Sequence, residues 1–520
     1  MPVRGYHLTV DWSGNQTSDG PHEDVTRRLR PEPVLEVTYG RDSSGAGSQI
    51  PAGSMGFALN NLDQILSPQN SASPLSGKVR PGRAVKLTFT HPVTGQITTL
   101  WSGVTDRLTT EPATPGTPLN IACLDAWGRP GAESLSTPLY QGLRTGDAIH
   151  LILDAIGWTG GRDIDPGATI MPWWWAEDTD AGNAVERIVD SEGPPAIADV
   201  QGGTFVFRDR HHRLVRTRSL TSQGTYTHIV PAGTGPGGDF KILRGAVYDD
   251  GLDRIVNSAS ISVDERRPAD QAEVWVSEDP FTLASGGRQV VFAQSTDPFL
   301  GATVVVEATG GPVTAALSRT SGQSTIVTLT AAADAQVTRV AIVATPVTVA
   351  RTIKIVEEDT SSVSTYGRQT WQGDPVWAVA GDAQAIAQRV VSTYATARPT
   401  VTVQIAYVPG HPNTPVRYLD QIIDRQVSDR IWLRIDPLGV NGPFLIERVH
   451  HEIVRLGALH RLTLTCEVPD PTQPANVFTF DVAGKGFNQG AFGANGIDNP
   501  ATVFRFDTPG QGFDQGVFAL

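Results

Sequence analysis

The sequence predicts a mainly β protein of several domains with an α/β insert, and three observations carry that prediction. Short stretches alternate apolar and polar residues, as in Val85, Leu87 and Phe89 against Lys86, Thr88 and Thr90, which gives a strand one buried face. Between such stretches, in the second quarter of the chain, stand two apolar stripes at helical spacing. Glycine and proline are plentiful, at 53 and 37 residues, which favours many turns over a helical bundle. At 520 residues the chain is too long for one core, so roughly three to five domains are expected.

Residues 1–130 read as a strand-rich domain. Val34–Tyr39 and Met55–Leu59 are strands, and Asn60-Asn-Leu-Asp63 followed by Leu66-Ser-Pro-Gln-Asn70 is a long polar loop. Pro81-Gly82 opens a turn before the Val85 strand, and His91-Pro92 through Gly95-Gln96 closes it towards Ile97–Trp101 as a hairpin partner. Leu119–Leu124 ends the domain. Residues 131–240 hold the two helices. Thr145 is placed to cap the first, with Ile149, Ile152, Leu153 and Ile156 in one stripe and Gly157 at its stop. Asp180 is placed to cap the second, carried by Ala181, Ala184, Val185, Ile188 and Val189. Thr204–Phe207 is then a short strand running into Arg208-Asp-Arg210, and a Gly-rich joint at Pro231–Gly238 closes the unit.

Residues 241–355 carry short strands rich in Ala, Gly and Thr, such as Ile255–Val263, Thr303–Val306 and Ile326–Leu329, a composition suited to a small β lobe. In residues 356–470, Asp382 is placed to cap a helix bearing Ala383, Ile386, Ala387, Val390, Val391 and Tyr394. Val401–Ile405, Asp429–Leu433, Phe444–Arg448 and Leu462–Cys466 follow as strands at hairpin spacing.

Residues 471–520 hold an internal repeat. Val477–Phe492 recurs 26 residues later as Val503–Phe518, matching at Phe478, Phe480, Asp481, Gly484, Gly486, Phe487, Gln489, Gly490 and Phe492. Phenylalanines on a Gly-rich backbone cannot bury themselves, so Phe478, Phe480, Phe487, Phe492, Phe504, Phe506, Phe513 and Phe518 are the candidate partner-docking residues. The alternative is that both copies pack back on their own subunit.

A formal net charge of −13 argues against binding nucleic acid by phosphate neutralisation, but not against a wall that DNA slides past. Cys123 and Cys466 each sit in an alternating strand pattern and read as buried free thiols. The first fourteen residues lack a continuous apolar segment, so no signal peptide is expected, and no run approaches the about 18 apolar residues of a membrane span.

Chemistry is sparse. His211-His212 and His450-His451-Glu452 lack the i, i+4 spacing of a helical zinc motif, and neighbours on a strand point to opposite faces, so both read as structural histidines. Glu177, Asp178 and Asp180 could pair for glycoside hydrolysis, but at a helix start they read as stabilisers of its N-terminus. Trp173-Trp-Trp175 could form a sugar platform; between Pro172 and an amphipathic helix, three consecutive tryptophans instead divide between core and interdomain contact. The glycines from Gly484 to Gly490 have the wrong spacing for a dinucleotide fingerprint. No catalytic, cofactor or metal residues are assigned.

Three stretches in fixed order carry a resemblance: Ser54–Gly103 with its Asn-Asn-x-Asp turn, Ser-Pro-x-Asn, Pro-Gly and Leu-Trp-Ser-Gly; Gly161–Arg210 with Gly-Arg-x-Ile-Asp-x-Gly and Gly-Gly-x-Phe-x-Phe-Arg-x-Arg; and Tyr366–Glu467. Together they resemble the minor tail proteins that form the tail-tip or baseplate hub of long-tailed phages of actinobacteria. The resemblance implies two tail-tube-like β-barrels, at 1–130 and 356–470, flanking an α/β lobe and a small β lobe. It further implies a non-enzymatic virion protein, made in the host cytoplasm, that forms a homotrimer at the tail tip. That trimer would adapt a six-fold tube to three-fold tip proteins and form part of the DNA-ejection channel. Its implied partners are the tail tube or distal tail protein, the C-terminus of the tape-measure protein and further tip or fibre proteins, with DNA only as passing cargo. Two other classes remain in view: a tip protein binding a receptor or cell-wall carbohydrate, and a tail-associated cell-wall hydrolase.

Overall fold

A computed structural model describes residues 5–41, 46, 51–110, 117–125, 134–229, 239–243, 245–373 and 377–470. The joint expected at Pro231–Gly238 and the repeats of 471–520 lie outside the described residues. The protein is mainly β, with several sheets.

The largest sheet has 13 strands and is shared by the two ends of the chain. From one edge it runs Tyr6–Val10, Ala84–Thr90, Ile97–Thr110, Leu119–Leu124, Ser54–Leu59 and Leu35–Gly40. Val440–Val454 comes next, then Arg430–Ile435, Thr225–Thr227 and Phe240–Lys241. A branch from Val440–Val454 continues through Leu459–Glu467 and Thr400–Tyr407 to Val247–Asp249. Two barrels were expected here; what the described strands form is one open, branched sheet. The join is the antiparallel pairing of Leu35–Gly40 with Val440–Val454, from Leu35 opposite Ile453 to Gly40 opposite Arg448. One continuous core lies beneath it, from Leu8, Leu87 and Trp101 to Ile405, Ile431 and Leu464.

Local patterns explain the strands. Ala84–Thr90 buries Val85, Leu87 and Phe89 as its alternation requires, and it pairs with Ile97–Thr110 as the hairpin reading expects. Both cysteines are buried and free. The loop after Leu59 is organised by Asn61, whose amide donates to the Ser67 hydroxyl and accepts from the Leu66 N–H.

In the α/β lobe the helices Thr145–Ala155 and Ala181–Glu192 pack together over a three-stranded sheet ordered Ile197–Gln201, Thr204–Arg208, Gly161–Ile164. Asp180 caps the second helix, accepting from the Asn183 N–H at 3.2 Å. Thr145 does not cap the first. It is the first helical residue, after Arg144, and its hydroxyl instead donates to Glu192. Asp382 likewise falls inside the first turn of Ala380–Tyr394, after Val379, where its charge suits the helix N-terminus.

The small β lobe is built on a ribbon. Ala335–Glu358, 24 residues long, pairs along one half with Ser258–Pro268 and along the other with Ala272–Ser277, Phe281–Leu283 and Phe299–Gly310. A second sheet, Arg288–Gln294, Ser324–Ala331, Val313–Arg319, packs on this far half through Val327, Leu329, Val337, Val340 and Ile342. The helix Ala380–Tyr394 packs on the near half of the ribbon, with Ile386 and Val390 against Ile261 and Val263. A further helix, Val416–Asp424, buries Tyr418, Leu419 and Ile422 against the large sheet.

Candidate functional site

The eight phenylalanines read as docking residues, Phe478, Phe480, Phe487, Phe492, Phe504, Phe506, Phe513 and Phe518, lie outside the described residues. Elsewhere, charged and aromatic side chains gather at a buried junction, in a histidine array and in an aromatic pocket.

The junction forms where the ends of the chain meet the α/β lobe. Opposite Leu459–Glu467, the strand Val440–Val454 slips register between Ile446 and Arg448, so Glu447 is the residue of a bulge. Its carbonyl accepts from the Arg41 N–H at 2.9 Å, across from Gly40 at φ +95°, where a Cβ would meet that carbonyl at 2.4 Å. Its side chain, 1% exposed, lies 2.7 Å from the Arg213 guanidinium and 3.8 Å from that of Arg41. Beside it Arg398 holds Glu467 at 2.7 Å. Burial and then the neighbouring Glu447 raise the Glu467 carboxyl above its ordinary range, against the pull of Arg398, Arg213 and Arg41. Arg41, Arg213 and Glu447 come from three expected domains, so these charges tie the lobes together.

The histidines split as strand alternation requires. His451 faces the core, its Nδ1 3.1 Å from His460 Nε2, while His460 Nδ1 lies 2.7 Å from the Tyr6 hydroxyl. Burial holds His451 down to about 3. His450 faces the other way, where the ligand atoms of Glu36, His450 and Glu452 all lie within 4.8 Å of one another. Glu36 was invisible to spacing because it comes from a strand over four hundred residues away; Glu452 also pairs with Arg461 at 3.6 Å. In the α/β lobe His212 Nδ1 lies 2.7 Å from Asp165, and Arg216 reaches the same carboxylate at 2.5 Å. Burial alone would raise Asp165; His212 and Arg216 outweigh it and hold the carboxyl at about 2.

The acidic trio does not converge. Asp180 caps its helix, Asp178 accepts from the Ser134 hydroxyl, and Glu177 accepts from the hydroxyls of Ser321 and Ser324 in the small β lobe. The three tryptophans divide as expected. Trp174 enters the lobe core, whereas Trp173 donates to the Arg266 carbonyl at 3.3 Å and Trp175 to Gln323 Oε1 at 2.9 Å, both in the small β lobe. Sequence reading missed what they meet. Trp377, from beyond the ribbon, stands edge-on to Trp175 with ring centroids 4.8 Å apart. Arg187 lies over Trp377 and Arg266 over Trp175, each 5.1 Å from the ring centroid. These groups line an open cavity of about 270 Å³ between the lobes.

Fold and site together define a multi-lobed, mainly β protein whose lobes meet at a buried ionic junction and around an aromatic pocket. Among the described residues no helix is long and apolar enough to cross a membrane. No family model and no curated protein matches the chain. Solved structures similar to it include a tail protein of Neisseria meningitidis, at 10% identity and TM-score 0.43 over 89% of this chain and 97% of that one. A 43 kDa tail protein of a Shewanella oneidensis prophage matches at 10% and 0.44, over 89% and 98%. A prophage tail protein of Listeria monocytogenes matches at 9% and 0.38, over 89% and 94%.

Proposed function

We propose that the chain is a structural virion protein, a trimeric hub at the distal tip of a long phage tail, and that it catalyses no reaction. Three subunits, each contributing two tube-like β units, would present six units to a six-fold tube and a three-fold face to the tip proteins beyond. The observation that carries this reading is the pairing of Leu35–Gly40 with Val440–Val454. It sets the two terminal units side by side in one sheet, the arrangement in which one subunit can offer two adjacent wall segments. The exposed sheet end at Val247–Asp249 is where a neighbouring subunit would continue the wall. The small β lobe, carried on its long ribbon, would flare outward. An acidic lumen would let DNA pass without sticking, in keeping with the net charge of −13. The C-terminal repeats would grip a neighbouring tip or fibre protein.

Electron microscopy of the purified chain, alone and with tail-tube protein, tests the reading. Class averages with a three-fold ring around a central hole are expected. Compact monomers under both conditions would overturn it.

A further inference from the structure

The pocket around Trp173, Trp175 and Trp377 has a composition that the hub role does not require. Its walls are indoles drawn from both sides of a lobe boundary, and its rim carries charged side chains of both signs. Arg266 is held by Asp297 at 3.0 Å, and Glu177 by two serine hydroxyls. Arg187 lies exposed over Trp377, and Asp264 accepts from the Thr352 hydroxyl at 2.6 Å. With Arg266 paired to Asp297, Glu177 taken by the serines and the Gln323 amide bonded to Trp175 and the Thr296 carbonyl, the charged groups left to a ligand are Arg187 and Asp264, one cation and one anion beside aromatic walls. A site for an anion or a cation would carry an excess of the opposite sign. This one is matched instead to a ligand with an apolar face and a ring of hydroxyls that both donate and accept.

We propose that this pocket binds one ring of an uncharged saccharide. The C–H face of the sugar lies against indole, and its hydroxyls bridge Arg187 and Asp264. At about 270 Å³ the cavity sits just below the range of about 300–1,000 Å³ typical of drug-sized ligands, which suits a single pyranose. Because the pocket joins the α/β lobe, the ribbon and the segment at Trp377, an occupied pocket also ties these elements together. The inference goes beyond the hub reading and does not depend on it.

The test is saturation-transfer NMR and calorimetric titration of the full chain. The probes are glucose, galactose, mannose, rhamnose, N-acetylglucosamine and the N-acetylglucosamine tetramer. Saturable binding of at least one sugar is expected, with transfer strongest to its ring C–H protons. Trp377→Ala and Arg187→Ala should each weaken it about ten-fold or more, the loss of one stacking wall or one charged hydrogen bond. Arg187 is an exposed helical residue whose removal leaves the lobe core intact, and Trp432→Ala on the large sheet should leave binding unchanged. The proposal is overturned if no sugar in the panel binds saturably, or if binding is the same in Arg187→Ala and Trp377→Ala as in the parent. Imaging the same samples for rings separates the two readings. Rings without sugar binding would sink only the pocket proposal, and sugar binding without rings would sink only the hub.

Discussion

Glu447→Gln is the substitution whose effect the structure defines most sharply. The parent junction sets three guanidiniums, Arg41, Arg213 and Arg398, against two carboxylates, Glu447 and Glu467, all of them buried. Glutamine keeps the shape and removes one charge, leaving three cations against Glu467 alone. Breaking a buried ion pair from one side costs about 3–5 kcal/mol. For a cooperative unit of 150–250 residues, each kcal/mol moves the melting point by about 2–4 °C, so a fall of roughly 6–20 °C is expected. A chain of several domains need not melt in one step. The loss is therefore also read locally, as faster amide hydrogen exchange at Arg41, whose N–H is held by the Glu447 carbonyl, and across Leu445–Val449. Adding Arg213→Met removes a surplus cation, so the double variant should be more stable than Glu447→Gln alone. A single variant melting within about 2 °C of the parent, as for an exposed pair worth under about 1 kcal/mol, would refute the reasoning.

Asp180→Ala removes a helix cap and should cost about 1 kcal/mol, seen as faster amide exchange in the first turn of Ala181–Glu192; unchanged protection there would show the cap to be idle. Burial, then Glu192 and Asp165, pushes the Asp209 carboxyl up to about 6. A raised carboxyl favours the folded state below its ordinary range near 3.8, and that contribution is lost as pH climbs through about 6. Asp209→Asn should therefore gain on the parent between pH 4 and pH 8, by up to about 3 kcal/mol at 1.36 kcal/mol per pH unit. A parent-to-variant difference that is flat with pH in denaturant titrations would contradict this. Truncation after Asp470 should leave melting and ring formation unchanged while abolishing co-sedimentation with one tip or fibre protein; retention of every partner would mean the repeats fold back on their own subunit.

What could be read from the sequence is what depends on near neighbours. The Val85–Phe89 alternation, the hairpin to Ile97 and the Asp180 cap all stand, because strand faces and caps are set within a few residues. An error of one position occurs where a polar residue has a second use. Thr145 looks like a cap, but its hydroxyl is taken by Glu192, 47 residues on. The helix Val416–Asp424 is masked by the strand patterns on either side of it, although Val416, Leu419, Ile422 and Ile423 keep helical spacing after Pro415. The ribbon strand Ala335–Glu358 could not be read as one element, since Ala, Thr and Val on both faces give little contrast and its two halves serve different sheets.

The junction and the pocket were illegible for a different reason. Each draws single residues from segments that are distant in sequence: Arg41, Arg213, Arg398 and Glu447 for one, Trp175, Arg266, Gln323 and Trp377 for the other. No local pattern marks an arginine that will be buried, because its partner is supplied by topology. At Glu447 the controlling event is a bulge, one extra residue between Ile446 and Arg448 that alternation alone would count as an ordinary strand position. That same bulge presents the carbonyl that fixes Arg41 and makes a close approach that Gly40 accommodates. One local irregularity thus marks the end of the pairing between the two chain ends and supplies the charge that anchors the α/β lobe to them. An exchange that restored regular register there would loosen the sheet and the lobe together rather than either alone.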